Sequence, residues 1–333
     1  MTLFRCGGHG QHPMHEPIDR LLPQLGPILC FLATASLALS LSLSVSCRSS
    51  DSGTSSSSFD ARAPNDEPRT DLVPSVGTDD TFEIATWNVE NFPKRASTPS
   101  VLADLIASLD LDVLVLQEVQ DSEAFTELVD RLPGHDGILS SHAYGDGTYQ
   151  KVGFVYRSKM VSLEGAFLLF RESGYEFPRP PLKVDVTVDT GGGQLAFTAI
   201  GVHLKAGFGG EDRLRRTLAV EILEEHVRQN VEGAGNPNII VIGDFNDTLR
   251  DGQEVFAPFA STGQYSIRTE SATDDDEFSF VPTRVILDHI VTSTSFDAAT
   301  AQATTIIPRL DLQLADYEGQ VSDHLPVITR FPL

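Results

Sequence analysis

The stretch NIIVIGDFND, at residues 238–247, constrains the fold of this chain more than any other segment. Its apolar run, Ile239 to Ile242, is typical of a strand buried on both faces. Side chains alternate along a strand, so Asp244 and Asn246 should share one face while Phe245 enters the core. A carboxylate and an amide on one face can orient a water molecule beside a divalent cation. The same residue types are common in surface turns, so this motif alone leaves both interpretations open.

Polar residues end several other apolar segments in a similar way. The strand patterns TFEIATWN, LDVLVLQE and LAFTAIGVH end in an amide, an acid and a histidine. Another acid interrupts the run RVILDHIV, and an acid and a histidine precede the last run in VSDHLPVIT. These residues are Asn88, Glu118, His203, Asp288, Asp323 and His324. Buried charges need partners, so this recurrence predicts that they meet around a metal ion and a phosphate group.

Each of these residues also has a structural explanation when it is considered alone. His203 could be a core histidine, His324 could cap a turn, and Asp288 could pair with nearby Arg284. Their repeated position at separate strand ends favours one shared site over several unrelated explanations.

Segments with helical periodicity separate the strands. The longest runs from residue 211 to 229 and stops near Gly233. Its pattern predicts an inward face made of Leu214, Leu218, Ile222 and Leu223. It predicts an outward face made of Arg213, Arg216, Glu221 and Glu225.

The charge balance restricts how a polyanionic substrate could be held. The chain has 24 Lys and Arg against 47 Asp and Glu, a formal net charge of -23. Such a chain does not capture nucleic acid or anionic lipid by broad electrostatic attraction. A polyanion would therefore have to be held by cations placed locally at the site.

The N-terminal part of the chain has the composition of a leader and a linker. All three cysteines lie in the first 47 residues, and an apolar stretch from Leu25 to Val45 leads to Ser46-Cys47. This end is similar to a bacterial lipoprotein signal, with Cys47 as the acylated N-terminus; a cleaved secretory signal and a retained transmembrane anchor are the alternatives. We expect a leader at 1–47, a flexible Ser-, Pro- and Asp-rich tether at 48–80 and a catalytic domain at 81–333.

Six short motifs after Thr81 carry a resemblance to a known family: WNVEN, LQE, HLK, GDFND, LDH and SDH, in this order. Together they resemble the endonuclease/exonuclease/phosphatase superfamily, in particular its deoxyribonuclease-like branch. The resemblance implies an α+β fold, a four-layered α/β sandwich in which two mainly antiparallel β-sheets pack face to face with helices outside. It also implies a site for Mg2+, or alternatively Mn2+ or Ca2+, at one end of the sandwich.

The resemblance further implies a role for individual residues. Three match the family's metal site: Asn88, Glu118 and Asp323. Five match residues that act on the attacking water, the phosphate or the leaving group: His203, Asp244, Asn246, Asp288 and His324. Within this second set, Asp288 matches the acid that hydrogen-bonds the ring of His324. Arg179, in the motif FPRPPL, matches an arginine that contacts the phosphate.

One position departs from the deoxyribonuclease pattern. Where that branch places an acid to support its first histidine, here His203, the stretch YQKVGFVYR offers Gln150. An amide can fix the orientation of an imidazole ring, but it does not stabilise the charged form. We therefore expect His203 to be a weaker general acid than its counterparts.

These features predict a monomeric metal-dependent phosphodiesterase, either tethered to the cell envelope or secreted, that acts on DNA or RNA. An alternative within the same fold is a phospholipid or inositol phosphate hydrolase, similar to sphingomyelinases or 5-phosphatases. The 5-phosphatase branch is disfavoured because RVILDHIV lacks its Cys-Asp-Arg signature. A second alternative, an inactive binding module, is disfavoured because the site residues are retained.

Overall fold

The computed structural model describes residues 66–233, 235–249, 254–272, 277–300 and 302–333. The predicted leader and residues 48–65 of the predicted tether lie outside the described residues. No helix within the described ranges is long and apolar enough to cross a membrane.

The first β-sheet has six strands among the described residues. They are β1 (Thr81–Phe92), β2 (Val113–Val119), β3 (His135–Leu139), β4 (Lys151–Arg157), β11 (Thr304–Ile306) and β12 (Val327–Pro332). Their order in the sheet is β11-β12-β1-β2-β4-β3. The central strands β1 and β2 are parallel, and the other neighbours are antiparallel.

The second sheet also has six strands and one parallel pair among the described residues. Its strands are β5 (Val161–Leu168), β6 (Leu182–Asp189), β7 (Gln194–His203), β8 (Ile239–Asp244), β9 (Tyr265–Ile267) and β10 (Asp288–Ser293). Their order is β5-β6-β7-β8-β10-β9, and β7 and β8 form the parallel pair. Both sheets are therefore mainly antiparallel, as predicted.

Helices connect the strands and lie outside the sheets. The α-helices of the described ranges are α1 (Thr98–Leu109), α2 (Ser122–Asp130), α3 (Gly210–His226), α4 (Ala257–Ala260), α5 (Thr294–Ala299), α6 (Leu310–Gln313) and α7 (Tyr317–Gln320). α3 continues as a π-helical turn, Val227–Glu232, and a 3-10 helix spans Arg268–Ala272.

The two sheets pack face to face around the main core. Phe82 in β1 and Phe197 in β7 lie 5.9 Å apart, measured between ring centroids. At Gly201 in β7 a β-carbon would lie 2.9 Å from the side chains of Val115 and Val152 of the first sheet, so this close approach requires glycine. The arrangement confirms the predicted α+β sandwich with helices outside.

The folded part of the chain begins before Thr81. Val73 and Val76 are buried against the main core. The backbone nitrogens of Arg69 and Leu72 donate to Asp104 and Ser108 of α1, at 2.7 and 3.0 Å. The predicted flexible tether is therefore too long at its C-terminal end. Polar composition alone did not reveal that its few apolar side chains pack on α1.

The buried face of α3 agrees with the predicted one at Leu223, which is fully buried, and differs from it at Leu214 and Arg216. Leu214 is 51% exposed, whereas Arg216 is only 4% exposed. Arg216 is buried because its guanidinium pairs with Asp247, with Nη2 at 2.8 Å from Oδ2. The same guanidinium donates through Nη1 to the carbonyl oxygens of Lys205 and Gly207, at 2.9 and 2.8 Å. This salt bridge rotates the helix relative to the face that its leucines predict.

Candidate active site

Side chains from both sheets meet at one end of the sandwich. Asn88 in β1 donates through Nδ2 to Glu118 in β2 (3.2 Å) and to Asp244 in β8 of the other sheet (3.0 Å). Within the second sheet, the strand register places Asp244 opposite His203 on β7 and opposite Asp288 on β10. Polar residues that are far apart in the sequence therefore form one cluster.

A short, buried contact in the cluster joins Asp288 to His324. Nδ1 of His324 lies 2.7 Å from Oδ2 of Asp288, and both side chains are buried. Arg284, the alternative partner of Asp288, instead lies over the ring of Phe278, 4.8 Å from its centroid. Nε2 of His324 lies 3.9 Å from Oδ1 of Asp323. Since Nδ1 donates to Asp288, the ring presents Nε2 towards the neighbouring acid.

The loop that carries His324 is fixed to β1. Ser322 donates to the carbonyl oxygen of Asn88 (2.6 Å), and its hydroxyl accepts from the backbone nitrogen of His324 (2.9 Å). The indole of Trp87 donates to the carbonyl oxygen of His324 (3.1 Å). These contacts position the SDH motif beside WNVEN.

The GDFND motif directs its side chains as predicted, although β8 ends at Asp244 and the backbone at Asn246 is left-handed, with a φ of 53°. Asp244 and Asn246 face the cluster, and Asn246 donates to Asp244 through its backbone nitrogen (2.8 Å) and through Nδ2 (3.0 Å). Phe245 is fully buried. Gly243 is required, because it has a φ of 152° and a β-carbon there would lie 2.0 Å from the carbonyl oxygen of Val202. The last residue, Asp247, turns away from the site to pair with Arg216 on α3.

Asn88 reaches the acids as a hydrogen-bond donor. Its Oδ1 accepts from the backbone nitrogen of Glu90 (3.0 Å), so Nδ2 is the atom that faces Glu118 and Asp244. The amide nitrogen, rather than the oxygen, therefore faces the acids, and the role of Asn88 in a metal site stays a prediction. In the geometry observed, Asn88 holds the two carboxylates in place.

Backbone strain is concentrated at this end of the sandwich. Glu90, Asn91, Glu118 and Asn246 have φ values of 38°, 52°, 63° and 53°, which non-glycine residues seldom adopt. Such residues each cost about 1–3 kcal/mol and persist only where surrounding contacts enforce them. At Glu118 the enforcing contact is a hydrogen bond to Oε2 from the backbone nitrogen of Asn91 (3.0 Å).

Negative charge exceeds positive charge in the cluster. The side chains of Asp244 and Asp288 are 1% and 0% exposed, whereas those of Glu118 and Asp323 are 16% and 27% exposed. Burial and the charge of Asp288 raise the pKa of Asp244 to about 7. Burial raises the pKa of Asp323 to about 6. Burial would lower the pKa of His324, but the charges of Asp288, Asp244 and Asp323 outweigh it and raise the pKa to about 10.

This donor set fits a divalent cation. Asp244, Asp288 and His324 each offer a ligand atom, and these atoms lie within 4.8 Å of one another. Oδ1 of Asp288 is buried without a hydrogen-bond partner. Glu118 and Asp323 add two accessible carboxylates, the ligands that hard cations prefer. A bound cation would compensate the excess of partly buried negative charge.

His203 lies in the cluster, but Gln150 does not support it. Nε2 of His203 lies 3.6 Å from Glu118 and 3.7 Å from Asp244, and its Nδ1 is buried without a partner. Gln150 instead donates to Oδ1 of Asn91 (3.1 Å). Burial and the positive charges of Arg179 and His324 lower the pKa of His203 well below its usual value. His203 is thus held neutral in this geometry.

Arg179 borders the cluster on the side of Glu118. Its side chain is 8% exposed, and it donates through Nη2 to the carbonyl oxygen of Leu204. Asn246 also donates to the carbonyl oxygen of Leu204 (3.2 Å). Arg179 Nε is buried without a hydrogen-bond partner.

Several residues of the site were not identified from the sequence. Glu90 accepts from the backbone nitrogen of Asp323 (2.8 Å). Asn91 and Tyr144 form a hydrogen-bonded chain beside Glu118 through Gln150, the one member of the chain that the sequence indicated. The polar end of WNVEN was a usable signal for Glu90 and Asn91. The loop that contains Tyr144 has no pattern that indicates its position.

The histidine of the LDH motif is structural. His289 is fully buried, with Nε2 at 2.9 Å from the carbonyl oxygen of Asp247 and Nδ1 at 2.6 Å from the hydroxyl of Thr269. Burial lowers its pKa to about 4. Its neighbour Asp288 faces the cluster, so the two residues of this motif have different surroundings.

The fold and the cluster define a class of metal-dependent phosphoesterases. Residues 85–324 match the sequence model of the Endonuclease/Exonuclease/phosphatase family, and the chain belongs to this family. Members of the family are metal-dependent hydrolases of phosphodiesters or phosphate esters, and this chain is an enzyme of that class. No curated protein matches it significantly in sequence.

Solved structures with the same fold include proteins with different substrates. One is D. rerio TDP2 complexed with a single-strand DNA product, with 17% identity, a TM-score of 0.56, and coverage of 76% of this chain and 99% of that chain. Another is the Bacteroides thetaiotaomicron mannosyl-6-phosphatase, with 18% identity, a TM-score of 0.56, and coverage of 76% and 100%. A third is the human Nocturnin catalytic domain, with 18% identity, a TM-score of 0.56, and coverage of 75% and 94%. At these identities the similarity shows the fold alone.

Proposed function

We propose that this protein is a Mg2+-dependent phosphodiesterase that hydrolyses nucleic acid. The observation that carries the proposal is the buried Asp288–His324 pair, whose free ring nitrogen faces Asp323 at 3.9 Å. This pair lies in the same cluster as Glu118, Asp244 and their neighbours. A phosphodiester is anionic, so its hydrolysis needs a cation on the phosphoryl oxygens, an oriented water and a stabilised leaving oxygen.

Glu118 and Asp323 would hold the metal ion. They are the accessible carboxylates of the cluster, and Mg2+ dehydrates reluctantly and keeps several waters. Asp244, Asp288 and His324 also have ligand spacing, but they are buried and already hydrogen-bonded to one another or to neighbouring amides. When bound, the cation would neutralise charge on the phosphoryl oxygens.

The protein's own residues would perform the remaining steps. Asp244, held by Asn88 and Asn246, would accept a hydrogen bond from the attacking water and orient it. His324 would donate from Nε2 to the phosphate, with Asp288 fixing its ring and its tautomer. Arg179 would contact a phosphoryl oxygen through its unpartnered Nε–H. Neutral His203 would lie near the leaving group as a hydrogen-bonding group.

Nucleic acid is the substrate that we favour. The D. rerio TDP2 structure with a single-strand DNA product has the same fold, which is consistent with this choice.

One feature favours phospholipid as a second candidate substrate. Phe208, five residues after His203 in the sequence, is 89% exposed, and an exposed apolar side chain of this size can enter a lipid surface.

We also propose that the enzyme is exported and tethered as a monomer through an acylated Cys47. The support is the apolar run that ends at Ser46-Cys47 and the polar composition that follows it. Mass spectrometry of membrane-extracted protein should find the mature N-terminus at Cys47 with a lipid adduct. An N-terminus at another residue without a lipid would contradict this part of the proposal.

The main proposal is tested with a panel of substrates in Mg2+, Mn2+, Ca2+ or chelator. The panel should contain single-stranded DNA, duplex DNA, RNA, sphingomyelin vesicles and a soluble inositol phosphate. We expect turnover of at least one nucleic acid in Mg2+ and none in chelator. If the protein hydrolyses vesicles or inositol phosphate but no nucleic acid, it is instead a phospholipid or inositol phosphate hydrolase.

A further inference from the structure

Two consecutive residues near the end of β1, Glu90 and Asn91, contact both accessible acids of the cluster. Their φ values of 38° and 52° place them in the left-handed region of the backbone. The backbone nitrogen of Asn91 donates to Oε2 of Glu118 (3.0 Å). Oε2 of Glu90 accepts from the backbone nitrogen of Asp323 (2.8 Å). One short piece of backbone therefore relates the two residues that we assign to the metal ion.

The backbone of Asp323 is held on both sides of the residue. Its carbonyl oxygen accepts from the backbone nitrogen of Val281 (2.9 Å), and its own N–H donates to Glu90. Its carboxylate is 27% exposed and lies 3.9 Å from Nε2 of His324, which is beyond hydrogen-bond distance. The direction of this carboxylate therefore depends on how the backbone is held, and Glu90 supplies the contact to its N–H.

Glu90 has a partner that keeps its carboxylate in place. Nζ of Lys94 donates to the same Oε2 and to the carbonyl oxygen of Glu318 on α7. The side chains of Lys94 and Glu90 are 19% and 28% exposed, so this ion pair is partly shielded from solvent. The pair thus links β1 to the helix that directly precedes the SDH motif.

The backbone of Glu90 makes a separate contact. Its N–H donates to Oδ1 of Asn88 (3.0 Å), which turns the amide nitrogen of Asn88 towards the acids. This hydrogen bond does not involve the side chain of Glu90. A substitution of that side chain therefore removes the contacts to Asp323 and Lys94 and leaves the contact to Asn88 in place.

We propose that Glu90 is a positioning residue of the metal site. Its carboxylate oxygen fixes the backbone of Asp323, so that the side chains of Asp323 and Glu118 face the same cation. The inference rests on the proposed assignment of those two acids as metal ligands. Residues that orient metal ligands through hydrogen bonds typically contribute about 10- to 100-fold to metal affinity.

A positioning role requires an acceptor oxygen at residue 90 but not a charge. Glu90→Gln keeps an oxygen that accepts from the N–H of Asp323, whereas Glu90→Ala removes it. A direct metal ligand would need the charge as well, since the affinity of a site for hard cations depends on the number of charged ligands. Glutamine and alanine carry the same β-carbon as glutamate, so neither adds strain at a φ of 38°.

The first measurement is hydrogen exchange at the backbone amide of Asp323, followed by NMR of the purified protein in chelator. Glu90→Ala should accelerate this exchange about tenfold, as expected when one hydrogen bond is lost, and Glu90→Gln should change it by less than about threefold. Melting curves of the same samples establish that both variants are folded.

The second measurement is binding of Mn2+ without substrate, followed by the electron paramagnetic resonance signal of the free ion. Glu90→Ala should weaken binding about tenfold or more, and Glu90→Gln by less than about threefold. Glu118→Gln, which removes a charged ligand, should weaken binding about tenfold or more. If no nucleic acid is hydrolysed but this Mn2+ pattern is found, the nuclease function fails and the positioning role stands.

Glu127→Ala is the matched control. Glu127 pairs with Arg131 four residues later on α2, just as Glu90 pairs with Lys94. Its removal changes the net charge by the same amount, so the affinity for Mn2+ and the exchange at Asp323 should be unchanged.

Three results would overturn the positioning role. One is equal Mn2+ affinity of the wild-type protein and Glu90→Ala. Another is a loss in Glu90→Gln as large as that in Glu118→Gln, because Glu90 would then be a ligand itself; this comparison remains decisive if Glu90→Ala does not fold. The third is a wild-type protein that binds no Mn2+, which would overturn the metal site together with this role.

Discussion

Two pairs of buried acids lie at opposite ends of β1 and differ in what surrounds them. At the catalytic end, Asp244 and Asp288 share their surroundings with His324 and with the accessible carboxylates of Glu118 and Asp323. At the other end, Glu83 and Asp112 are 1% and 4% exposed, and the backbone nitrogen of Glu83 donates to Asp112 (3.0 Å). Both pairs have carboxyl oxygens without partners, Oδ1 of Asp288 and Oε1 of Glu83.

The second pair is enclosed by the protein. Arg157 pairs with Asp112, with Nε at 3.3 Å from Oδ1, and the charge of Arg330 acts on Glu83. The backbone at Gly77 covers Glu83, since a β-carbon there would lie 3.1 Å from Oε2. Burial and altered acidity are thus present at both ends of the strand. What distinguishes the catalytic end is a histidine and two acids that remain accessible to solvent.

The sharpest test of this difference removes the Asp288–His324 pair. His324→Ala should lower turnover by about 10² to 10⁴, the usual contribution of a single acid-base group. Asp288→Asn should also lower turnover of the folded protein strongly, and the double variant should be little worse than His324→Ala because the two act as a unit. Turnover of a generic phosphodiester, measured beside a melting curve, tests both statements. Losses that simply multiply in the double variant would contradict the pairing.

A second test concerns Asp247, a buried acid three residues from Asp244. Asp247→Ala leaves the guanidinium of Arg216 without its carboxylate, so the free energy of unfolding should fall by about 3–5 kcal/mol. Glu221→Ala, at an exposed position of α3, should change stability little. Chemical denaturation of the two variants measures the difference. Equal stability would show that the salt bridge does not hold α3 in its observed rotation.

A third test addresses the accessible acids. Glu118→Gln replaces a charged ligand by a neutral one, so the Mg2+ concentration for half-maximal activity should rise about tenfold or more. Glu83→Gln, at the enclosed end, should leave this concentration unchanged. Activity of the wild-type protein in excess chelator would rule out the proposed metal site.

A fourth test measures a pH dependence of stability at the enclosed end. Burial raises the pKa of Glu83 from its usual 4.5 to about 8. The folded protein therefore binds more protons than the unfolded chain between these values, and stability should fall as pH rises from about 4.5 to about 8. Glu83→Gln removes this dependence, so its melting temperature relative to the wild-type protein should increase with pH. If the melting temperatures of the two proteins change in parallel between pH 5 and pH 9, the raised pKa of Glu83 is contradicted.

Much of the catalytic end could be predicted from the sequence because an apolar strand that stops at a polar residue is a local signal. Asp244 and Asn246 face the cluster and Phe245 is buried, as predicted, although a left-handed residue rather than a continued strand places Asn246. The enclosed end could not be predicted. Glu83 lies in an ordinary strand pattern, and its partner Asp112 lies 29 residues later, in the connection between α1 and β2. The same limit applies to Arg216, whose burial depends on a carboxylate distant in sequence.

The sequence also did not predict how polar side chains are oriented within the site. The amide of Asn88 presents its nitrogen to the acids because a backbone N–H at Glu90 occupies its oxygen. That contact depends on the left-handed backbone at Glu90 and Asn91, near the end of β1, which the residues of WNVEN do not specify by themselves. Patterns therefore predicted which residues meet, while the contacts decided which atoms face each other.

The attachment of the SDH loop to β1 has a consequence for synthesis of the protein. Ser322 and His324 contact Asn88 and Trp87 across 234 and 237 residues of sequence, and β12, which follows the loop, pairs with β1. A nascent chain therefore lacks the catalytic pair until almost its last residues have been added. If the chain crosses a membrane before it folds, the complete site forms only after the chain has left the compartment in which it was made.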